Sequence, residues 1–599
     1  MKLNIFKWMT LALFGFGLSS CEDFLTQENP YASSTEEFWS NISECNQSVT
    51  AIYATLRNEA ILQTHLESFR ADLAWPAAGR PVPENSGDEY MCYIHSYNNT
   101  SEFIQEKWEA CYEGINRANQ AIRGLNSIKQ SLSDDSELES WVELMAQARF
   151  FRGLFHFYLH SAFNNGEIII IDEIPIEIED FYLPVSPSDD VISFFREDLR
   201  YAYENLPIAY ENTTDLGRVT SGAAATILGT SYLYEFSEKG DSEKLDAAMS
   251  LFSYVIDDCG YELVQSHLEL FTEENEMNSE SIFEIVYSAS IQSEMSITDP
   301  YNFYQTVGYY STRYNDGHYL PAWLANAYQS ESIDPNNPRN EYVQVGTDGE
   351  ESIEIRTLMP LRASAMVGLW EDIYTPYYLS ASVPESSRGA SMYYTTYGFG
   401  FYRKYSDCLT RSADVKESGM NIMVNRLSEV YLMYAECLIE KNDIPAALQY
   451  INAIRERWGL ILLGTDQGDG FTYDGKSYDQ ASLMTQLREV DKPLECSLEG
   501  HMMRWIDLRR WGMLESNFKK LSEATYYAVN GTVTTASGVE KSTEKNSIVR
   551  NEVQYKSGSS TGLIVDFEYD LSYNNFSYET HAYYPIPMSE LETNPNIFK

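Results

Sequence analysis

The chain has 599 residues, with 42 Lys+Arg against 89 Asp+Glu and a formal net charge of −47. Its 44% hydrophobic and 22% charged content is globular and excludes a disordered chain. A polyanion such as nucleic acid is repelled by so negative a protein and is excluded as a partner. Tyrosine stands out, at 45 copies against 27 Phe and 10 Trp. Most of these rings are expected in packing, but an excess also coats surfaces that grip amphipathic ligands.

Residues 1–20 read as an export signal. Lys2 and Lys7 precede the apolar run Trp8 to Leu18, which is shorter than the ~20 residues needed to span a bilayer. The run ends in Leu18-Ser19-Ser20-Cys21, which resembles the lipobox of bacterial lipoproteins. On that resemblance Cys21 becomes the lipidated N-terminus, each buried CH₂ adding about 0.8 kcal/mol of membrane affinity. The other cysteines (Cys45, Cys92, Cys111, Cys259, Cys408, Cys437, Cys496) are scattered without a CxxC. Neither a disulfide framework nor a zinc ribbon is expected.

Three segments have the periodicity of helical hairpins: Trp108–Leu125 with Glu139–Ala162, Ser221 to Gly260 turning at Lys239-Gly240-Asp241, and Arg426 to Gly459. In the last, Leu427, Val430, Tyr431, Tyr434, Ala435 and Leu438 share one helical face, and Ala447, Tyr450, Ile451, Ile454 and Trp458 share another. Its length is that of a tetratricopeptide repeat. Such hairpins bury their faces by stacking, so the expected fold is mainly α, a tetratricopeptide-like helical scaffold. Residues 290–420 and 520–580, rich in Tyr, Ser, Thr, Asn and Gly, read as long irregular loops with a few short strands such as Gly562–Phe567. Loops of this length are usually functional.

Catalytic motifs fail on context. Gly470 to Ser477 spells a P-loop, but no strand leads directly into it, and Asp474 would sit beside the phosphates. In Gly558-Ser559-Ser560-Thr561-Gly562 the apolar run follows the serine, which reverses a nucleophile elbow. His156 and His160 lie one helical turn apart, with Phe157 where a zincin carries its glutamate and no third ligand in sight. No enzyme activity, metal or cofactor is expected.

Cys21-Glu22-Asp23-Phe24-Leu25 at the mature start, and Trp108, Tyr112, Ile115 and Ala118-Asn119 in a W-x₃-Y-x₂-I-x₂-A-N helix, resemble the SusD/RagB family of outer-membrane nutrient-binding lipoproteins of Bacteroidetes. Ala148 to Gly153 is a looser match to E-x-x-F-L-R-A, and Gly217-Arg218-Val219-Thr220 a close one to G-R-x-T. Arg426 to Glu436, Asn452 to Arg457, Asp507 to Gly512, Tyr584-Pro585-Ile586-Pro587 and Asn594-Pro595 follow in family order. Met502-Met503 is an apparent insertion between Glu499-Gly500-His501 and Arg504, expected to bulge or lengthen a helix.

The resemblance implies a signal peptide (1–20), an N-terminal helical region (21–235) and a C-terminal region with ligand-binding loops (236–599). It also implies a non-enzymatic protein, lipid-anchored in the outer membrane and facing outward. Such a protein captures oligosaccharides, or peptides in some members, for a SusC-like TonB-dependent transporter. A surface glycoside hydrolase is the rival from another class, and a purely structural lid a third reading. The family's sites fall before the Trp108 helix and after the strand Ile282–Tyr287. Here those stretches carry Trp75, Arg80, Tyr90, Tyr93 and Tyr97, then Tyr301, Tyr304, Tyr309, Tyr310 and Tyr314. Exposed rings with polar neighbours suit the apolar C–H faces of sugars.

Overall fold

The computed structural model describes residues 39–599 apart from 77–81, 83, 85–86, 177, 289–318, 347–348, 375–399, 406–417, 539, 543–547, 558–562 and 566–568. The export signal and Cys21 lie outside the described residues.

Helices Ile42–Thr55, Glu102–Ile128, Asp135–Ala162, Ser188–Asn205, Ser221–Lys239, Ser242–Asp257, Leu427–Glu440 and Ile444–Arg457 each pack on the next. All three expected hairpins are present, and the fold is mainly α as read. Local chemistry sets their ends. Asp241 and Asp443 accept hydrogen bonds from the backbone N–H groups of Glu243 and Ala446, which satisfies donors that a helix start leaves open. Gly240, at φ 71°, supplies the left-handed turn between the second pair. At Gly114 a Cβ would stand 2.4 Å from the Phe155 ring, so glycine permits the close crossing of the first two long helices.

The Gly217-Arg218-Val219-Thr220 motif has a mechanical role. The Thr220 hydroxyl accepts from Ala223 N–H at 3.2 Å to cap the Ser221 helix. Arg218 donates to Asp215 at 2.9 Å, Gln147 at 2.9 Å and Asn46 at 3.0 Å, tying that cap to two earlier helices. The boundary expected at 235/236 falls inside helix Ser221–Lys239. Its hairpin partner packs on Leu427–Glu440, so the two expected regions share one helical stack.

After Asp257 the chain leaves the stack, and strand Ile422–Arg426, antiparallel to Ser281–Ile285, leads back into it. Small sheets complete the molecule, including three strands in the order Ile548–Asn551, Tyr526–Val529, Leu563–Val565. The described parts of the supposed loop regions hold more regular structure than expected, including helices Ala322–Ser330 and Leu361–Met366. Helices this short offer too few turns for a hydrophobic period to register. Among the described residues no helix is long and apolar enough to cross a membrane.

A buried ion network locks the returning chain to the stack. Arg426 pairs with Glu280 at 2.6 Å, Glu495 at 2.8 Å and Glu499 at 2.7 Å. Arg457 reaches Glu495 at 2.6 Å, and Arg362 bonds Glu331 and Asp491. Arg510 joins Glu436 at 2.6 Å to Asp507 at 2.8 Å. Burial alone would raise the Glu495 carboxyl, but Arg426, Arg457 and Arg362 outweigh it and hold it at about 2. The Arg and Glu residues of the family-like motifs are therefore structural. The Met502-Met503 insertion does not bulge a helix. Met502 ends a turn in which Leu498, Gly500 and Met502 have φ of 58°, 63° and 54°, and Met503 opens helix Met503–Arg510. His501 in that turn stacks on Tyr158 with centroids 4.0 Å apart.

Candidate functional site

The first predicted platform is not an exposed surface. Trp75 is 0% exposed, Tyr93 2% and Tyr97 3%, and Tyr90 is buried beside them. Trp75 meets Tyr93 edge-on at 5.1 Å, and Tyr93 meets Tyr569 at 6.0 Å. The Tyr97 hydroxyl accepts from Arg70 Nε at 2.9 Å, whose guanidinium lies 4.1 Å from the Trp505 ring and 3.8 Å from Tyr584. These rings are core. Tyr90 and Tyr93 lie on helix Asp88–Tyr93, which turns them inward, and periodicity over so short a helix cannot foresee that. Arg80, Tyr301, Tyr304, Tyr309, Tyr310 and Tyr314 lie outside the described residues.

The backbone joins Trp75 of the first stretch to Tyr319. Trp75 N–H donates to the Tyr319 carbonyl at 2.7 Å, and Leu320 N–H to that of Gly400 at 3.1 Å. Helix Ala322–Ser330 starts from this point and packs against strand Ile548–Asn551.

Beside that helix is an aromatic pair that sequence reasoning missed. Tyr527, on the central strand Tyr526–Val529, and Tyr555, on helix Glu552–Ser557, stack with centroids 3.9 Å apart and planes at 1°. Both rings are only half-buried. Arg550 stands directly opposite Tyr527 in the ladder, hence on the same face. Glu371 accepts from its two terminal nitrogens at 2.7 and 2.5 Å. An amide cluster gathers around Gln554, the helix neighbour of Tyr555. Asn326 Nδ2 donates to Gln554 Oε1 at 2.8 Å, and Gln554 Nε2 donates to Ser330 Oγ at 3.1 Å. Asn551 Nδ2 donates to Asn326 Oδ1 at 3.3 Å. Flat rings beside fixed amides and a bidentate Arg–Glu pair offer stacking for C–H faces and hydrogen bonds for hydroxyls. Tyr527 and Tyr555 come from separate elements with no shared motif, so only the Asn551-x-x-Gln554 spacing gave any local signal.

The other sequence motifs are structural where described. His156 Nδ1 lies 2.8 Å from the Arg152 carbonyl and His160 Nε2 3.0 Å from Ser188 Oγ. Burial pushes the two imidazoles down to about 4 and about 3. The P-loop lookalike wraps its own Asp474, which accepts from Gly464 N–H at 2.9 Å and the Tyr478 hydroxyl at 2.7 Å. Gly558 to Gly562 lies outside the described residues. A cavity of about 380 Å³ opens between Tyr53, Leu216, Arg218, Glu284 and Val286. Its Arg218 and Glu284 are engaged within the fold.

Comparisons with known proteins agree with this architecture. Residues 279–599 match the SusD family, and residues 23–233 match a family described as starch-binding, associating with outer membrane. The SusD-like protein P25 of Formosa agariphila is 24% identical over 514 residues, covering 83% of this chain and 88% of that one. The crystal structure of a SusD superfamily protein from Bacteroides vulgatus superposes with a TM-score of 0.66 at 20% identity, covering 94% and 98% of the two chains. A laminarin binding SusD-like protein superposes with a TM-score of 0.56 at 19% identity, covering 93% and 99%.

Proposed function

Because the chain belongs to the SusD family, we propose that it is a glycan-binding lipoprotein of the outer membrane that captures oligosaccharides without transforming them. It delivers them to a SusC-like TonB-dependent transporter. The single observation that carries the ligand class is the half-buried Tyr527–Tyr555 stack, with Arg550 on the Tyr527 face of the sheet and Gln554 beside Tyr555 in its helix. Laminarin binding by a protein of the same fold supports a polysaccharide over a peptide. Arg80, Tyr301, Tyr304, Tyr309 and Tyr310 belong to the ligand contacts of this proposal on the family resemblance of the stretches that carry them. Cys21 carries the lipid that holds the protein at the membrane, facing outward.

The test is calorimetry of the chain lacking residues 1–21 against laminarin and other polysaccharides. A few rings contributing about 1 kcal/mol each set the expected affinity at roughly micromolar to millimolar. Binding to no glycan sinks the reading, and release of reducing ends favours a hydrolase instead. Membrane fractionation of Cys21→Ala checks the anchor, which is wrong if the membrane-bound fraction is unchanged.

A further inference from the structure

The antiparallel hairpin of strands Glu341–Val345 and Glu351–Ile355 has its polarity inverted. Val343 stands opposite Ile353, Glu341 opposite Ile355, and Val345 opposite Glu351, so these side chains share one face. That face carries four β-branched aliphatics with a glutamate at two corners. Ile353 is 72% exposed and Val343 51%. On the opposite face Ser352 and Glu354 are exposed, whereas Tyr342 and Gln344 are half-buried against the fold. Tyr342 meets Tyr374 edge-on at 4.7 Å, and Gln344 Nε2 donates to the Thr535 and Ala536 carbonyls at 3.1 and 3.2 Å. A solvent-facing strand ordinarily shows the reverse alternation.

The hairpin is also held firmly. Val345 N–H donates to the Ala536 carbonyl at 2.9 Å, and Arg356 N–H to that of Asn340 at 2.8 Å. An aliphatic strip presented on a fixed support, where solubility would place polar residues, marks an interaction surface.

We propose that the Val343–Val345–Ile353–Ile355 face docks a second protein whose contact surface is apolar with a cationic rim. Charge complementarity selects that occupant. Glu341 and Glu351 border the strip, and the chain carries −47 overall, so a second copy would set carboxylates against carboxylates and repel. This rests on the reading that the protein works on a barrel transporter, whose outward loops are the assigned partner.

Site-specific photo-crosslinking in intact cells tests it. A benzoylphenylalanine at Ile353 is compared with one at exposed Glu137, on the helix Asp135–Ala162 of the same full-length chain. The expected result is a cross-link from position 353 alone to the transporter barrel, identified by mass spectrometry. The double substitution Val343→Asp, Ile353→Asp should lower barrel recovery in detergent pull-downs more than tenfold, with glycan affinity and melting temperature unchanged. A cross-link to a different protein with a basic contact surface supports the face and overturns the transporter reading. A cross-link within the chain or to a second copy overturns the face, as does equal labelling from position 137 or full recovery with the double variant.

Discussion

Two aromatic clusters in this molecule are built from the same side chains and have opposite surroundings. Around Trp75, Tyr93 and Tyr97 the rings meet edge-on and are closed over by Arg70, Trp505 and Tyr584. Around Tyr527 and Tyr555 the rings stack on each other at the surface, and their polar neighbours bond mainly among themselves. The difference lies in the supporting elements. The first cluster joins chain segments far apart in sequence, as when Arg70 donates to the His581 carbonyl at 2.8 Å. The second rides on one three-stranded sheet and an adjoining helix. Rings that close long-range contacts stabilise the fold, whereas the half-buried Tyr527 and Tyr555 rings keep part of their surface toward solvent.

The comparison breaks most severely at the buried network. Arg426→Met takes a shared buried cation from Glu280, Glu495 and Glu499, leaving only Arg457, Arg362 and Lys404 to hold them. It should cost about 3–5 kcal/mol in urea unfolding, the range for breaking a buried pair. Trp75→Ala should cost about the same, roughly 3–5 kcal/mol, through the cavity it leaves. The affinity of the folded fraction for glycan should be unchanged. A loss of affinity without loss of stability would move Trp75 back to the binding surface.

A pH prediction follows from Glu429. Burial, reinforced by Glu499 and Asp507 and only partly opposed by the hydrogen bond from Asn425, pushes its carboxyl up to about 7. A carboxyl raised on folding favours the fold while it holds its proton, and that contribution is lost as pH rises from the ordinary carboxylate range through 7. Glu429→Gln should therefore melt above the wild type at pH 8 and together with it at pH 5, measured by calorimetric scans. An equal shift at both values would remove titration as the cause.

The smallest effect sharpens the comparison. Tyr527→Ala and Tyr555→Ala should each weaken glycan binding by about 1 kcal/mol, several-fold in calorimetry. Their unfolding free energies should change by about 0.5–1 kcal/mol. Equal binding by wild type and both variants would remove this pair from the site.

The sequence by itself determined the helical stack. Apolar residues recurring over several turns, as from Leu427 to Leu438 and from Ala447 to Trp458, can only be buried by pairing helices, and Gly240 and Asp443 mark the turns. The tertiary structure alone decided which tyrosines are open. Trp75, Tyr93 and Tyr97 look like loop residues in the sequence, and their burial comes from Arg70, Trp505, Tyr569 and Tyr584. Tyr527 and Tyr555 meet only after strand and helix fold together. Local periodicity records a residue's own element, whereas exposure depends on what distant segments lay over it.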